Sequence, residues 1–219
     1  MTSRERVVAA ARGGEVDRKP VIGWPGTDGV EGDALIIGPE SGRFSDENRL
    51  VIAEVVSPFG LNMLQNLNLN KLLEEDPARG NDLLEGLTRQ VAVQIQLALE
   101  NSADGILYRL HGADPRHTSP MQYGGYYLER DRELLEEIKD AVLNIVFVAG
   151  GEGVYLDFVS DLPAHVFAWD EAASGIGLQE VRQMRSGALA TSNPEADIRL
   201  VSPHRDITRY LETHALAAV

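Results

Sequence analysis

One apolar run constrains the fold of this 219-residue chain more than any other stretch: NIVFVAGG, Asn144 to Gly151. It is apolar at successive positions rather than alternate ones and is ended by glycines, the pattern of a strand buried on both faces. Such strands belong to parallel sheets with helices on the outside. The flanking segments agree. GILYRL (Gly105 to Leu110) and HVFAWD (His165 to Asp170) read as further short buried strands, and GALATS (Gly187 to Ser192) as another. Between them lie helical patterns. Asp76 and Pro77 make a cap and first-turn pair, after which Leu83, Leu84, Leu87, Val91, Ile95 and Leu99 recur at helical spacing to about Asn101. Ser119 and Pro120 open a helix running through Leu134, Ile138 and Val142, residues 154 to 161 make a short one, and GLQEVRQMR another. Strand alternating with helix specifies an α/β protein with a parallel sheet, open or closed into a (β/α)8 TIM-barrel-like form.

Upstream, Ser3 followed by Arg4 to Arg12 reads as a capped helix ended by Gly13 and Gly14, with Val7, Val8 and Ala11 on one face. Val21 to Pro25 and Ala34 to Pro39 are predicted strands closed by glycine or proline, residues 46 to 56 a helix, and Leu61 to Leu67 a third strand. That gives seven strands. An eighth at Arg199 to Ser202 meets an objection, because the stretch after Ser192 is too short for the ~10–12 residues of a crossover helix.

Length suits a single domain over 1–219 with a sizeable core. With 20 Lys plus Arg against 34 Asp plus Glu, the formal charge of -14 repels phosphate backbones and anionic lipid, so neither nucleic acid nor a membrane is the expected partner. The absence of cysteine excludes disulfides, thiolate nucleophiles and cysteine-ligated metal sites. Residues 1 to 20 have no apolar stretch suited to a signal or membrane span, and the expected location is a reducing cytoplasm.

Polar residues gather at the end of the central strand, in DGILYRLHGADPRHTSPMQYGGYY, residues 104 to 127. Parallel α/β proteins build their sites at that end of the strands. His111 directly follows the strand and is the better-placed acid or base; His117 reads more simply as a loop histidine. Tyr108 and Arg109 must face opposite ways. An inward Arg109 would be a carboxylate anchor, an outward one a partner for helix acids, and the balance of the sequence leans to the second. Arg116 is an alternative anchor. Asp170 ends a strand, where it either orients a ligand or caps the next turn. Trp24, Ser192 and Asn193 lie at strand ends and are candidate pocket residues, and Gly150, Gly151 and Gly153 read as a turn device around Glu152. No Ser-His-Asp order, P-loop, HExxH pattern or dinucleotide fingerprint is present.

TSRERVVAAARGGEVDRKPV at the start, LLEEDPARGNDLLEGLTRQVAVQIQLALENSADGILYRLHGA in the middle, and NIVFVAGGEGVYLDFVSDLPAHVFAWD with LATSNPEADI later resemble the superfamily of uroporphyrinogen decarboxylase and the cobamide-dependent methyltransferases. The resemblance covers most of residues 1 to 198. It implies a (β/α)8 barrel with its site at the carboxyl ends of the strands. Members of that superfamily are longer, so the resemblance implies a barrel that is abridged, or completed by a partner; a homodimer is a separate expectation.

Departures from the family pattern are specific. The decarboxylase's arginine-bearing loop reads GWPGTDG here; its aspartate falls on Pro39 beside Glu40, its tyrosine on Leu64 and its serine near Leu110. Only its histidine has a candidate, His204 in SPHRD. The methyltransferases' zinc-binding His-x-Cys pair falls on Phe147 and Ala149. The resemblance thus implies lyase chemistry, a decarboxylation, ahead of methyl transfer, on a carboxylated or tetrapyrrole-like small molecule, with no cofactor or metal. His111, Asp170 and His204 are its catalytic candidates, and Arg109, Arg116, Tyr108, Trp24 and Asn193 its substrate-binding ones. The other expectation is a non-catalytic barrel that binds a ligand or serves assembly.

Overall fold

The computed structural model describes residues 1–23, 31–39, 43 and 45–201. Eight parallel strands form a closed barrel in chain order: β1 (Val21–Gly23), β2 (Ala34–Ile37), β3 (Leu50–Val56), β4 (Gly105–Leu110), β5 (Leu143–Val148), β6 (Val166–Trp169), β7 (Ala188–Thr191) and β8 (Ile198–Val201). β8 pairs with β1 through Ile22 and Leu200, so one chain supplies every strand. Closure corrects the expectation of an incomplete or partner-completed barrel.

The eighth strand shows why the crossover objection fails. β8 enters level with the end of β7, Ala190 standing opposite Ile198, so the chain does not travel back along the whole strand. Residues 192–197 span that step without a helix, since each residue reaches ~3.3 Å or more when extended.

Two predicted elements exchange roles. Residues 46–56 hold β3 rather than a helix: Val51, Ile52, Val55 and Val56 are β-branched and buried, which favours the pleated backbone on both faces. The stretch predicted as a third strand is instead a helix, α2 (Pro58–Leu64). Its start signal is Ser57, whose hydroxyl accepts from Gly60 N at 3.2 Å, with proline at the first helical position. α3 (Leu69–Glu75) and the long α4 (Pro77–Glu100) follow, and α4 buries Leu84, Leu87, Val91 and Ile95 on one face.

The helix predicted from Ser119 through Val142 starts as expected but ends at Glu137. It comprises α5 (Pro120–Gln122), a π-helical turn (Tyr123–Tyr127) and α6 (Leu128–Glu137). α7 (Leu156–Val159), α8 (Glu171–Ser174) and α9 (Leu178–Met184) complete the outer layer.

Side-chain alternation separates two cores. Leu107, Ile145, Phe147, Val166, Ala168, Ala188 and Ala190 point into the barrel, where they pack with Val7 and Ala10 of α1 (Ser3–Ala11). Ile106, Tyr108, Leu110, Val146, Phe167 and Trp169 point outward onto the helices. α1 therefore plugs the amino-terminal end of the barrel. Thr2, not Ser3, caps it, with Glu5 answering in a capping box. Ser3 instead donates to Asp33, which also receives Arg6, Arg18 and the Val21 amide. Among the described residues no helix is long and apolar enough to cross a membrane.

Candidate functional site

With the amino-terminal end plugged, the carboxyl-terminal mouth is where polar groups enter the apolar interior. Arg109 belongs to the inward-facing set, level with Phe147 and Val56, whereas Tyr108 faces the helices. The structure thus places Arg109 inside, against the outward lean of the sequence balance. Its guanidinium meets Glu54 of β3, with Nε 3.3 Å from Oε1, and both side chains are largely enclosed. Burial draws the Arg109 pKa down while Glu54 acts against it. Arginine keeps its charge regardless. Glu54 escaped the sequence reading because the helix predicted over 46–56 hid it; a lone acid in LVIAEVV is the signal that would have found it.

Ser57 ties the two strand ends together. Its backbone N–H donates to Arg109 O at 2.9 Å, and its hydroxyl accepts from His111 N at 3.1 Å. His111 is buried against Gly60, whose missing side chain makes room: a Cβ there would stand 3.0 Å from the imidazole Cδ2. Burial, then the charges of Arg109, His117 and Arg116, lowers the His111 pKa to about 3, with Asp114 opposing. Near neutral pH this ring is uncharged.

The loop after β4 is rigid. Gly112 turns it with φ +93°, and an added Cβ would lie 2.7 Å from the Phe59 ring, so glycine is required twice over. Asp114 is 1% exposed and accepts from His117 Nδ1 at 2.8 Å and from Arg116 N at 2.9 Å, with Arg116 Nε at 3.3 Å. Burial raises its pKa, but the His117 hydrogen bond and charge, with Arg116, outweigh that and hold the carboxyl below its usual range. Arg116, His117, Ser119, Gln122 and Tyr155 line a hollow of about 370 Å³ beside this loop.

Tyr108 donates to Asp131 Oδ1 at 2.6 Å and Tyr123 donates to Oδ2 at 2.6 Å, all three buried between β4 and the π-turn, away from the barrel interior. Burial raises the Asp131 carboxyl to about 7, the two phenols pulling it back in part. In the sequence Asp131 looked like any acid of ERDRELLEE. Its partners come from 8 and 23 residues away, which no local pattern reveals.

On the opposite wall, Asp170 caps α8, Oδ1 accepting from Ala172 N and Ala173 N at 3.0 Å each. Asn193 donates to Glu171 Oε1 at 3.3 Å and accepts from Glu195 N at 2.9 Å. Glu171 Oε2 and Thr191 Oγ1 are buried here without a hydrogen-bond partner among the described residues. Arg109, His111 and Arg116 thus gather on the β3–β4 side, Asp170 and Asn193 on the β6–β7 side. Tyr108 stands apart from both. Trp24 and His204 lie outside the described residues.

The zinc site that the methyltransferase branch implies does not fit. Phe147 and Ala149 are buried in the apolar interior at the positions of the His-x-Cys pair, the chain has no thiolate, and among the described residues no three His, Asp or Glu converge as a metal set. No protein-family model matches the chain, and no curated protein matches it. Among solved structures it is similar to a methyltransferase from Methanosarcina mazei, with TM-score 0.72 and 12% identity over 100% of this chain and 98% of that one. At that identity the likeness shows the fold alone.

Proposed function

We propose that the carboxyl-terminal mouth of the barrel binds a small carboxylated molecule and supports lyase-type, decarboxylating chemistry, with Arg109 as the carboxylate anchor. The observation that carries this reading is the enclosed, inward-facing guanidinium of Arg109. Glu54 meets it through Nε, which leaves the two terminal Nη groups to donate in parallel to a carboxylate, and such forked pairs are strong where water is excluded. A cation beside a departing carboxylate is also what decarboxylation needs.

Asp170, Asn193 and Glu171 are proposed to orient the far side of the ligand, and Arg116 to attract it. Trp24 and His204 carry a pocket role on the resemblance alone. Tyr108, bonded to Asp131 outside the barrel, is proposed to support the β4 wall rather than touch ligand. The structural likeness to a methyltransferase speaks for methyl transfer as the competing chemistry. The misfit of the zinc donors speaks against it.

A second reading, a ligand-binding barrel without catalysis, is favoured by Leu110, which faces the helices where the decarboxylase pattern would place its serine. One experiment separates the two. Calorimetric titration with phthalate, benzoate and coproporphyrinogen is expected to give saturable binding of at least one, weakened roughly tenfold or more in Arg109→Lys, which keeps the charge but not the fork. Binding indifferent to that substitution would sink the proposal. Binding without any release of carbon dioxide would select the non-catalytic reading.

A further inference from the structure

Decarboxylation requires an acid to protonate the carbanion equivalent, and His111 is a poor one. Its ring is buried among positive charges and stays neutral. The histidine set aside as a loop residue has the better geometry. His117 is ordered from every side: its backbone N–H donates to Asp114 O at 3.1 Å, its carbonyl accepts from Asn70 Nδ2 at 2.9 Å, and its ring meets Phe59 edge-on at 5.6 Å between centroids. Thr118 next to it donates through Oγ1 to Gly112 O at 2.6 Å and accepts the Tyr155 hydroxyl at 2.7 Å. A solvated loop histidine has no use for such a frame.

From these contacts we infer that His117 is the proton-transfer residue of this barrel, with the buried Asp114 as its positioning residue. The Asp114 carboxylate, being ionised, can only accept, so Nδ1 of His117 carries the hydrogen across the 2.8 Å contact. Nε2 then holds the lone pair, or the transferable proton when the ring is charged. The side chain is 22% exposed and lines the 370 Å³ hollow together with Arg116 and Tyr155. Asp114 offsets an imidazolium charge at the Nδ1 end of the ring and leaves Nε2 for proton transfer, the division of labour of a positioned His-Asp pair. Among the described residues, the charged and titratable neighbours of the ring include Asp114 and Arg116 on its own loop, His111 at the end of β4 and Tyr155 before α7. His111 lies within electrostatic reach of both Arg109 and His117. His111 thus stands between the anchor and the proposed proton donor.

The inference rests on the carboxylate reading for its ligand. In that reaction the bond from carbon to the carboxylate breaks, its electron pair stays on the substrate carbon, and the Nε2 proton of the imidazolium is transferred to that carbon. Water reprotonates Nε2 from the open side of the hollow. No oxidant or reductant is involved.

Nitrogen-15 NMR of the histidine rings and site-resolved modification by diethyl pyrocarbonate, mapped by peptide mass at pH 7, test the assignment on the intact chain. The expected result is a His117 ring that carries hydrogen on Nδ1, toward Asp114, and is modified faster than His111. Asp114→Asn should slow that modification roughly tenfold or more, since the pair no longer enforces the tautomer, and His117→Gln should abolish it. If the asparagine variant does not fold, the wild-type ring decides alone: a ring without hydrogen on Nδ1 overturns the inference. Phthalate bound through Arg109 should protect His117. Binding without protection overturns this inference and leaves the anchor standing, whereas no phthalate binding with Asp114-dependent reactivity intact removes the anchor and upholds the pair.

Discussion

Glu54 and Arg109 face each other across β3 and β4 inside the barrel, 3.3 Å apart, Glu54 level with Leu107 and Ile145 and Arg109 level with Phe147. Two opposite charges in an apolar interior compensate one another without adding much net stability, while either one alone is costly. Arg109→Met is therefore expected to cost about 3 kcal/mol, because Glu54 loses the guanidinium that offsets its charge. The double variant Arg109→Met with Glu54→Met should cost less than the sum of the two single ones by at least ~1 kcal/mol. Urea unfolding of the four proteins measures this, and strict additivity would show that the contact carries no coupling.

Burial acts on His111 and Asp131 in opposite senses. His111 has its pKa lowered to about 3, so between that value and its unfolded value of ~6.5 the unfolded chain binds the extra proton and stability rises with pH. Asp131 has its pKa raised to about 7, so from its unfolded value of ~3.9 up to 7 the folded chain binds the extra proton and stability falls with pH. Over roughly pH 4 to 6.5 the two trends offset each other. Asp131→Asn should expose the rising histidine trend, and His111→Gln the falling aspartate one, each amounting to a few kcal/mol across the window. Denaturant midpoints of both variants at pH 4.5, 5.5 and 6.5 check the signs; slopes of equal sign would refute the assignment.

At the other end of the barrel, Asp33 joins α1 to the strands by receiving Arg6, Arg18, Ser3 and the Val21 amide. Asp33→Ala removes the acceptor of the part-buried Val21 amide and of Nη1 of the buried Arg6, and should lower stability by about 2 kcal/mol. Because the site lies at the opposite mouth, carboxylate binding per folded molecule should not change. Parallel unfolding and calorimetry test both halves of the statement.

How far the sequence could be read follows from the range over which each signal acts. α4 and β4 were legible because a cap, a helical period and a continuous apolar run are local. β3 was misread because residues 46 to 56 mix polar and β-branched positions, and only burial between β2 and β4 settles them as a strand. α2 has a local start signal, Ser57 then Pro58, but the apolar positions after it also suit a strand. At the site, the crowd at Arg109, His111, Asp114, Arg116 and His117 was visible as a cluster. The orientation of Arg109 and the pairing of Asp114 with His117 were not, since strand phase and loop geometry decide them. Glu54 and Asp131 acquire their meaning only from partners on other elements.

The loop that carries His117 depends on one residue without a side chain. Gly112 has φ +93°, a left-handed backbone that other residues adopt at a cost, and its Cα faces the Phe59 ring so closely that a methyl group would stand 2.7 Å from it. Both penalties apply to Gly112→Ala, which should destabilise the chain by about 2–3 kcal/mol. Phe59 also bears edge-on on His117 and on Tyr127, at 5.6 and 5.1 Å between centroids. A displaced ring therefore loosens the histidine rather than the barrel. The variant should keep a cooperative unfolding transition while its His117 ring resonances broaden and its modification by diethyl pyrocarbonate loses dependence on Asp114. Unchanged resonances in a folded Gly112→Ala protein would mean that the loop holds His117 without the help of Phe59, and that the Asp114 contact alone sets its position.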